Sequence, residues 1–274
     1  MTLVAMPVYN AADALGRCLR SLEQHLPPEQ AIVICDDAST DVRVGELLDG
    51  FCDRSTRTLL RNPTNRGFVA TANRLLDQGR DDVVLLNSDT RVTPNWLAAL
   101  ERCAASDPMI GTITPFSNHA EICSFPDFCR PNPVPADPDA VARAIARIGR
   151  PTYPRLPTAV GFCMWVRRRL LDEIGAFDES AFGRGYGEEN DFCMRASAAG
   201  YHHVLCDDAY VVHEGGASFA ETGLKPGPET MARLLAKHPD YETLVHRFIA
   251  TDPIAARRAE LLAGMNAYER GQLA

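Results

Sequence analysis

Residues 83–89 read Val83-Val84-Leu85-Leu86-Asn87-Ser88-Asp89, an apolar run that ends in three polar side chains. A short apolar run of this kind predicts a buried strand. The polar residues then lie just past its carboxyl end, where open α/β sheets bind their ligands. Taken alone they also fit a strand-terminating turn, because Asn, Ser and Asp all favour turns. The rest of the chain decides between these two interpretations.

The chain alternates between predicted strands and helices on either side of this stretch. The predicted strands cover residues 3–6, 31–35, 58–61, 83–86, 110–114, 160–166, 203–206 and 210–213. The predicted helices cover residues 11–25, 42–51, 68–76, 94–103, 139–148, 188–199 and most of the chain from 229 onward. The alternation in the first half predicts an α/β fold with a mostly parallel, doubly wound, Rossmann-like sheet and helices on both faces.

Breaks in this rhythm predict the domain organisation. We expect residues 1–228 to form one domain with two halves, at 1–114 and 115–228. A helical C-terminal extension follows at 229–274. Two long connections, at residues 115–138 and 214–228, are candidates for loops that close over a ligand.

Composition limits the classes of partner and location. The formal net charge of −8 argues against nucleic acid as the main partner, since phosphate backbones require a basic surface. Nine cysteines, an odd number without a Cys-x-x-Cys pair, indicate buried thiols in a reducing compartment. The amino terminus has no basic leader, and the longest uncharged apolar stretch, residues 159–166, is too short to span a bilayer. We therefore expect a cytoplasmic protein whose membrane contact is at most peripheral.

Three polar sites follow predicted parallel strands, and their carboxyl ends should converge in space. They are Tyr9-Asn10, Asp36-Asp37 and the Asn87 to Asp89 site. Tyr9 could stack on a nucleobase and Asp37 could bind its edge, although packing and helix capping explain these two residues equally well. Neither a Gly-x-Gly-x-x-Gly fingerprint nor a Walker loop occurs. A divalent cation at Asp89 would therefore meet the charge of a diphosphate.

Two later clusters carry further candidates. Glu188, Glu189 and Asp191 follow glycines at the start of a predicted helix. They could simply complement the helix dipole, or one of them could act as a general base whose pKa is raised by its like-charged neighbours. His213, in a cluster continuing to Ser218, is either structural or a ligand for a metal ion or phosphate.

The order of these motifs resembles the inverting glycosyltransferases of family 2, which have the GT-A fold. The resemblance covers residues 2–219 and implies that the half at 1–114 binds the nucleotide and that the half at 115–228 faces the acceptor. Asp36 to Asp41 is similar to the family's Asp-Asp-x-Ser-x-Asp segment, and Asn87-Ser88-Asp89 stands where the family has Asp-x-Asp. Glu188-Glu189 is similar to the Glu-Asp motif that carries the catalytic base. Two departures are that Asn87 replaces the usual first aspartate and that Glu189 replaces an aspartate.

The resemblance implies a metal-dependent transfer of a hexosyl or deoxyhexosyl group with inversion, in which Glu189 removes the proton of an acceptor hydroxyl. The base is sought among Glu189, Glu188 and Asp191, and Mn²⁺ or Mg²⁺ would be held by Asp89 and His213. The residues implied for the nucleotide-sugar are Pro7, Tyr9, Asn10, Asp37, Asn65, Arg66, Gly67, Asn87 and Ser88.

The implied partners are a UDP-, dTDP- or GDP-linked sugar and a glycan or lipid-linked acceptor, in bacterial surface polysaccharide synthesis at or near the inner face of the membrane. Three alternatives stay open. A non-catalytic carbohydrate- or nucleotide-binding module would share the fold. A sugar nucleotidyltransferase would normally show a glycine-rich basic loop after the first strand, where this chain has Asn10-Ala11-Ala12-Asp13. A glycoside hydrolase would need two carboxylates at one bond and no nucleotide.

Overall fold

A central sheet of eight strands organises the protein, whose computed structural model describes residues 2–183, 185–215 and 228–269. The strands of this sheet are β1 (Leu3–Val8), β2 (Ile32–Asp36), β3 (Arg57–Arg61), β4 (Val83–Leu86), β6 (Ile110–Phe116), β7 (Arg155–Leu156), β8 (Cys163–Val166) and β9 (His202–Tyr210). A second, two-stranded sheet pairs β5 (Thr90–Arg91) with β10 (Val212–His213).

The strand order of the large sheet is β3-β2-β1-β4-β8-β6-β9-β7. Strands β1 to β4 are parallel, and β6 is parallel to β9. Strand β8 runs antiparallel between β4 and β6. The amino end of β8 therefore lies beside the carboxyl ends of β4 and β6, and this reversal brings the segments before β8 and after β6 to the ligand-binding edge.

Helices cover both faces of the sheet and extend beyond it. They are α1 (Ala12–His25), α2 (Val42–Phe51), α3 (Phe68–Leu76), α4 (Trp96–Ser106), α5 (Pro138–Arg147), α6 (Arg168–Ile174), α7 (Glu179–Phe182), α8 (Glu188–Ala198), α9 (Pro228–Lys237), α10 (Tyr241–Thr251) and α11 (Ala255–Glu269). A 3₁₀ turn occupies Glu121–Cys123.

The two faces of the sheet bury two separate apolar clusters, as the alternation of side chains along a strand requires. In β1, Val4, Met6 and Val8 join the cluster that contains the apolar sides of α1 and α2. Ala5 points to the opposite cluster, which contains residues of α3, α6 and α8, including Phe192. Helix α1 fits its groove because Leu15, Leu19 and Leu22 recur on one helical face and are all buried.

The structure confirms the predicted α/β fold with a mostly parallel sheet and helices on both faces. The two strands predicted at 203–206 and 210–213 are present with different bounds, because β9 continues from His202 to Tyr210 and the next strand is only Val212–His213. The predicted strand at 160–166 is shorter, since residues 158–162 line a cavity instead. The two-residue strands β5 and β7 carry too little pattern to be recognised.

Two further observations concern the expectation of no membrane-spanning segment and the predicted functional segments at residues 213–228. Within the described residues, none of the helices has the length and apolar character needed to cross a membrane. Most of the predicted loop at 214–228 and the residues from Gly216 to Ser218 in the His213 cluster lie outside the described residues.

Candidate active site

A cavity of about 680 Å³ opens at the edge of the sheet where β1, β2 and β4 end. Its lining combines residues from the strand ends, from the segments next to β8 and β6, and from helices α8 to α10. The predicted site residues that line it are Pro7, Tyr9, Asp37, Asn65, Gly67, Asn87, Ser88, Asp89, Glu188, Glu189 and His213.

Backbone pairing places the Asp89 and His213 side chains together. His213 pairs with Thr90 in the small antiparallel sheet, and the Glu214 amide donates to the Asp89 carbonyl oxygen at 2.9 Å. The His213 Nε2 lies 3.5 Å from the Asp89 Oδ1, and both side chains are largely buried. Burial lowers the pKa of His213, but the Asp89 carboxylate outweighs this effect and the net pKa is raised.

The chemistry of this pair fits a divalent cation. The His213 Nδ1 donates to the His119 carbonyl oxygen at 2.7 Å, which directs Nε2 toward the cavity side where Asp89 lies. Such a backbone partner is the usual way in which a metal-ligating imidazole is oriented. The buried Oδ1 of Asn87 has no hydrogen-bond partner among the described residues. A carboxylate, an imidazole and an amide oxygen are suitable donors for Mn²⁺.

Asp37 organises the part of the cavity lining that precedes α3. Its carboxylate accepts hydrogen bonds from the Arg66 and Gly67 amides, each at 2.8 Å, and from the Asn62 side chain at 2.7 Å. These bonds fix the turn before α3, where Gly67 has a φ of 87° that favours glycine. Asp37 thus positions this loop in addition to lining the cavity itself.

Glu188 and Glu189 lie at the first turn of α8 and line the same cavity. Burial raises the pKa of both carboxyls, and the charge of Glu188 raises the pKa of Glu189 further. The Glu189 carboxylate accepts a hydrogen bond from the Gly161 amide. A Cβ at Gly161 would lie 2.0 Å from the Glu189 Oε2, so only glycine allows this approach. A carboxylate with a raised pKa in a cavity is suited to take a proton from a bound hydroxyl.

Three predicted site residues do not line the cavity, and each has a structural reason. Asn10 instead accepts hydrogen bonds from the Thr40 and Asp41 amides, at 2.8 and 3.2 Å. The Arg66 side chain, about half exposed, lies 3.5 Å from the Glu179 carboxylate.

Asp191 is the third of these residues. It is fully buried and its carboxylate contacts Arg195, Lys237 and His238 at 2.7–2.8 Å. Burial raises its pKa, but these hydrogen bonds lower it more, and the net pKa falls below the ordinary value. An anion already held by three partners is a poor proton acceptor, and its position leaves Glu188 and Glu189 as the carboxylates of α8 that reach the cavity.

Several lining residues could not be recognised from sequence. His119 and Glu121 come from the loop after β6, which its length and composition had marked as functional without naming a residue. Thr158 to Phe162 reach the cavity only because β8 is antiparallel. An apolar wall completes the lining and consists of Met231, Leu234, Tyr241, Val245 and Ile249. The helical spacing of these residues is equally typical of an ordinary core.

This chain is similar to a known protein family and to individual known proteins. A family model described as Glycosyl transferase family 2 matches residues 3–175. An N-acetylglucosaminyl-diphospho-decaprenol L-rhamnosyltransferase of Mycobacterium tuberculosis is 24% identical over 259 residues, covering 84% of this chain and 80% of that protein. Other matches are uncharacterized mycobacterial proteins that are 30% identical over 141 residues. The chain spans about half the length of these curated relatives, since the match covers 48% of each.

Solved structures with a similar fold are glycosyltransferases. GalNAc-T7, determined with UDP, GalNAc and Mn²⁺, has a TM-score of 0.66 at 15% identity, over 88% of this chain and 50% of that one. Staphylococcus aureus TarS 1–349, in complex with UDP-GlcNAc, has a TM-score of 0.62 at 17% identity, over 90% of this chain and 71% of that one. Together with the family match, these findings show that the chain belongs to glycosyl transferase family 2 and has the GT-A fold.

Proposed function

We propose that the protein transfers a sugar from a nucleotide-diphosphate sugar to an acceptor hydroxyl, with inversion at the anomeric carbon. The observation that carries this proposal is that Asp89 and His213 line the same cavity as Glu188 and Glu189. In this arrangement Glu189 takes the hydroxyl proton while the oxygen attacks the anomeric carbon. The nucleoside diphosphate leaves from the opposite side of the sugar, which inverts its configuration.

The remaining residues bind and orient the donor. Tyr9, Asp37 and the Asn65 to Gly67 turn would bind the nucleoside, and Asn87 and Ser88, which line the same cavity, would bind the rest of the donor. A divalent cation, Mn²⁺ or Mg²⁺, would be held by Asp89 and His213 and would offset the negative charge of the leaving diphosphate. The loop after β6, which contributes His119, supports the orientation of His213 through its backbone.

The apolar wall supports an acceptor that carries an apolar portion, such as a lipid-linked glycan. Met231 and Ile249 line the cavity yet are 39% and 40% exposed, so apolar surface continues from the site toward its opening. The mycobacterial relative is named for a decaprenol-linked substrate. We place the protein on this basis in bacterial surface polysaccharide synthesis, in the cytoplasm and in peripheral contact with the inner face of the membrane.

A nucleotide-sugar screen tests the donor and the metal together. UDP-, dTDP- and GDP-linked sugars are added with Mn²⁺, with Mg²⁺ or with a chelator, and the midpoint of thermal unfolding is measured. A ligand that binds the folded state raises this midpoint, and we expect the rise to require the cation for the true donor. Asp89→Ala should abolish the part of the rise in unfolding midpoint that depends on the cation. Glu101→Gln, a change at an exposed position on α4, should leave that part of the rise intact. Cation-dependent stabilisation of the Asp89→Ala variant equal to that of the unchanged protein would refute the metal role.

Turnover with the donor identified in this way tests the reaction itself. The anomeric configuration of the product, read by nuclear magnetic resonance, should be opposite to that of the donor. Donor binding without transfer to any glycan or lipid-linked acceptor would instead favour a non-catalytic binding module.

A further inference from the structure

Glu188 carries a buried oxygen atom that the described residues leave without a partner. Its Oε2 has no hydrogen-bond partner among them, and the residue is only 5% exposed. The carboxylate accepts a hydrogen bond from its own backbone amide, which leaves Oε2 unused. Buried carboxylate oxygens are nearly always hydrogen-bonded, because burying a charged oxygen without a partner is costly. The exception at Glu188 therefore requires an explanation.

The surroundings of Glu188 indicate that a ligand supplies the missing partner. The residue lines the cavity directly beside Glu189, whose own carboxylate is already held by Gly161. The two neighbouring carboxylates interact unfavourably through their charges, so an anionic group of a substrate is disfavoured at Glu188. The cavity therefore offers Oε2 to an uncharged polar group of the substrate.

We propose that Glu188 binds a sugar hydroxyl next to the reacting centre, so that it determines which sugar is accepted. This inference rests on the proposed function, because it assigns part of the substrate of the same cavity. A hydroxyl suits the position in either protonation state of the carboxyl, since it both donates and accepts a hydrogen bond. That property matters here because burial raises the pKa of Glu188.

Two replacements separate hydrogen bonding from packing. Glu188→Met keeps an unbranched side chain of similar length and removes the carboxylate, and Glu188→Gln keeps a polar end that can still bond a hydroxyl. Without substrate, both variants should unfold at a higher temperature than the unchanged protein, because a buried unpaired carboxylate is gone. Glu101→Met on the exposed surface of α4 is the matched control and should not shift this temperature upward in the same way.

With substrate, Glu188→Met should lower kcat/KM roughly 10- to 100-fold, as expected for a lost hydrogen bond to a charged group, and Glu188→Gln should restore part of it. If the dissociation constant of the donor rises, the contact is with a donor hydroxyl. If only the KM for the acceptor rises, the contact is with an acceptor hydroxyl. A deoxy analogue that lacks the contacted hydroxyl should lose the same factor with the unchanged protein and nothing further with Glu188→Met.

The proposal is overturned if Glu188→Met binds donor and acceptor within twofold of the unchanged protein, or if it unfolds at a lower temperature, which would show that Glu188 has a partner within the fold. Failure of the proposed function has a different signature. In that case the unchanged protein transfers no sugar and binds no nucleotide-sugar, whatever residue stands at position 188.

Discussion

At the scale of single residues, the site depends on placing carboxylates where water cannot fully stabilise them. Asp89 and Glu189 use the same functional group in two environments. Asp89 lies against an imidazole, and Glu189 lies next to another buried carboxylate. Burial and the neighbouring charge raise the pKa of Glu189, which suits the proton acceptor that we propose. The carboxylate and the imidazole of the other pair suit the cation ligands that we propose.

Glu189→Gln should abolish turnover and leave donor binding nearly unchanged, because the amide cannot take the proton. The same change should raise the free energy of unfolding at neutral pH. A carboxyl whose native pKa is raised stabilises the fold most below its unfolded-state pKa of about 4, and this stability falls as the pH rises toward the native pKa. Thermal unfolding at pH 4 and pH 8, with Glu101→Gln as control, should show the difference only at pH 8. Unchanged turnover in Glu189→Gln would remove Glu189 as the base.

The pH dependence of transfer should report the coupling between the two glutamates. Because Glu189 must be ionised to accept a proton, kcat/KM should fall on the acid side at a pH above that of an ordinary glutamate. Glu188→Gln removes the neighbouring charge that raises this pKa, so the acid limb should move to lower pH. An acid limb that stays in place in Glu188→Gln would contradict this coupling.

At the scale of secondary-structure elements, the close approach of the β8 entrance to α8 holds the carboxylate that we propose as the base. Gly161 lies just before β8, and its amide meets the Glu189 carboxylate at a distance that excludes a side chain. Helix α9 is then held against α8 by the contacts of Lys237 and His238 with Asp191. The segment before β8 thus positions the proposed base, Glu189. Helix α9, which carries part of the apolar wall, is attached to α8 through Asp191.

Gly161→Ala should displace the Glu189 carboxylate and lower kcat by about 100-fold or more, the loss that a displacement of about 1 Å can cause. Gly45→Ala on α2 is the matched control, because a Cβ there has no heavy atom within 4 Å. Steady-state kinetics on both variants, with circular dichroism as a folding check, make the comparison. Normal kcat in Gly161→Ala would mean that the contact is not needed.

Asp191→Asn should lower the free energy of unfolding by about 2–3 kcal/mol, somewhat less than for a fully buried ion pair because its partners are partly exposed. The net pKa of Asp191 is lowered, so its contribution is present above the unfolded-state pKa and is lost as the pH falls through the native one. Urea denaturation at pH 7 and pH 3 should therefore show a larger difference between the variant and the unchanged protein at pH 7.

At the scale of the whole molecule, a buried ion pair attaches the last described helix to the sheet. Asp207 in β9 is fully buried, and its carboxylate accepts hydrogen bonds from Arg257 of α11 at 2.8 Å and from the Thr152 and Tyr153 amides. None of these residues lines the cavity. The pair therefore holds the fold together at a distance from the chemistry.

Asp207→Asn should lower the free energy of unfolding by about 3–5 kcal/mol, because the buried Arg257 would keep only the half-exposed Glu260 carboxylate as its anionic partner. Activity per folded molecule should be retained. The exposed pair Arg61–Asp49 provides the control, and Asp49→Asn should change the free energy of unfolding by less than about 0.5 kcal/mol. Denaturant titration measures both variants, and equal effects in the two would contradict the structural role.

The sequence by itself determined the fold class and the chemistry available at the strand ends. Apolar runs followed by Asp37 and by Asn87 to Asp89 are local signals, because strand periodicity and polar termination are properties of neighbouring residues. The family resemblance rested on the same local segments in order. The antiparallel direction of β8 is not a local property, so its amino end could not be placed beside β4 from the sequence.

Only the tertiary structure decided which of three neighbouring carboxylates in α8 reach the cavity. Glu188, Glu189 and Asp191 are equivalent in sequence, but helical geometry turns Asp191 toward Arg195 and the cations of α9. The apolar wall from α9 and α10 and the contribution of His119 are decided in the same way, by contacts between segments far apart in the chain. Patterns of neighbouring residues determine elements, whereas side-chain partners across the molecule determine a site, because those partners meet only after the chain has folded.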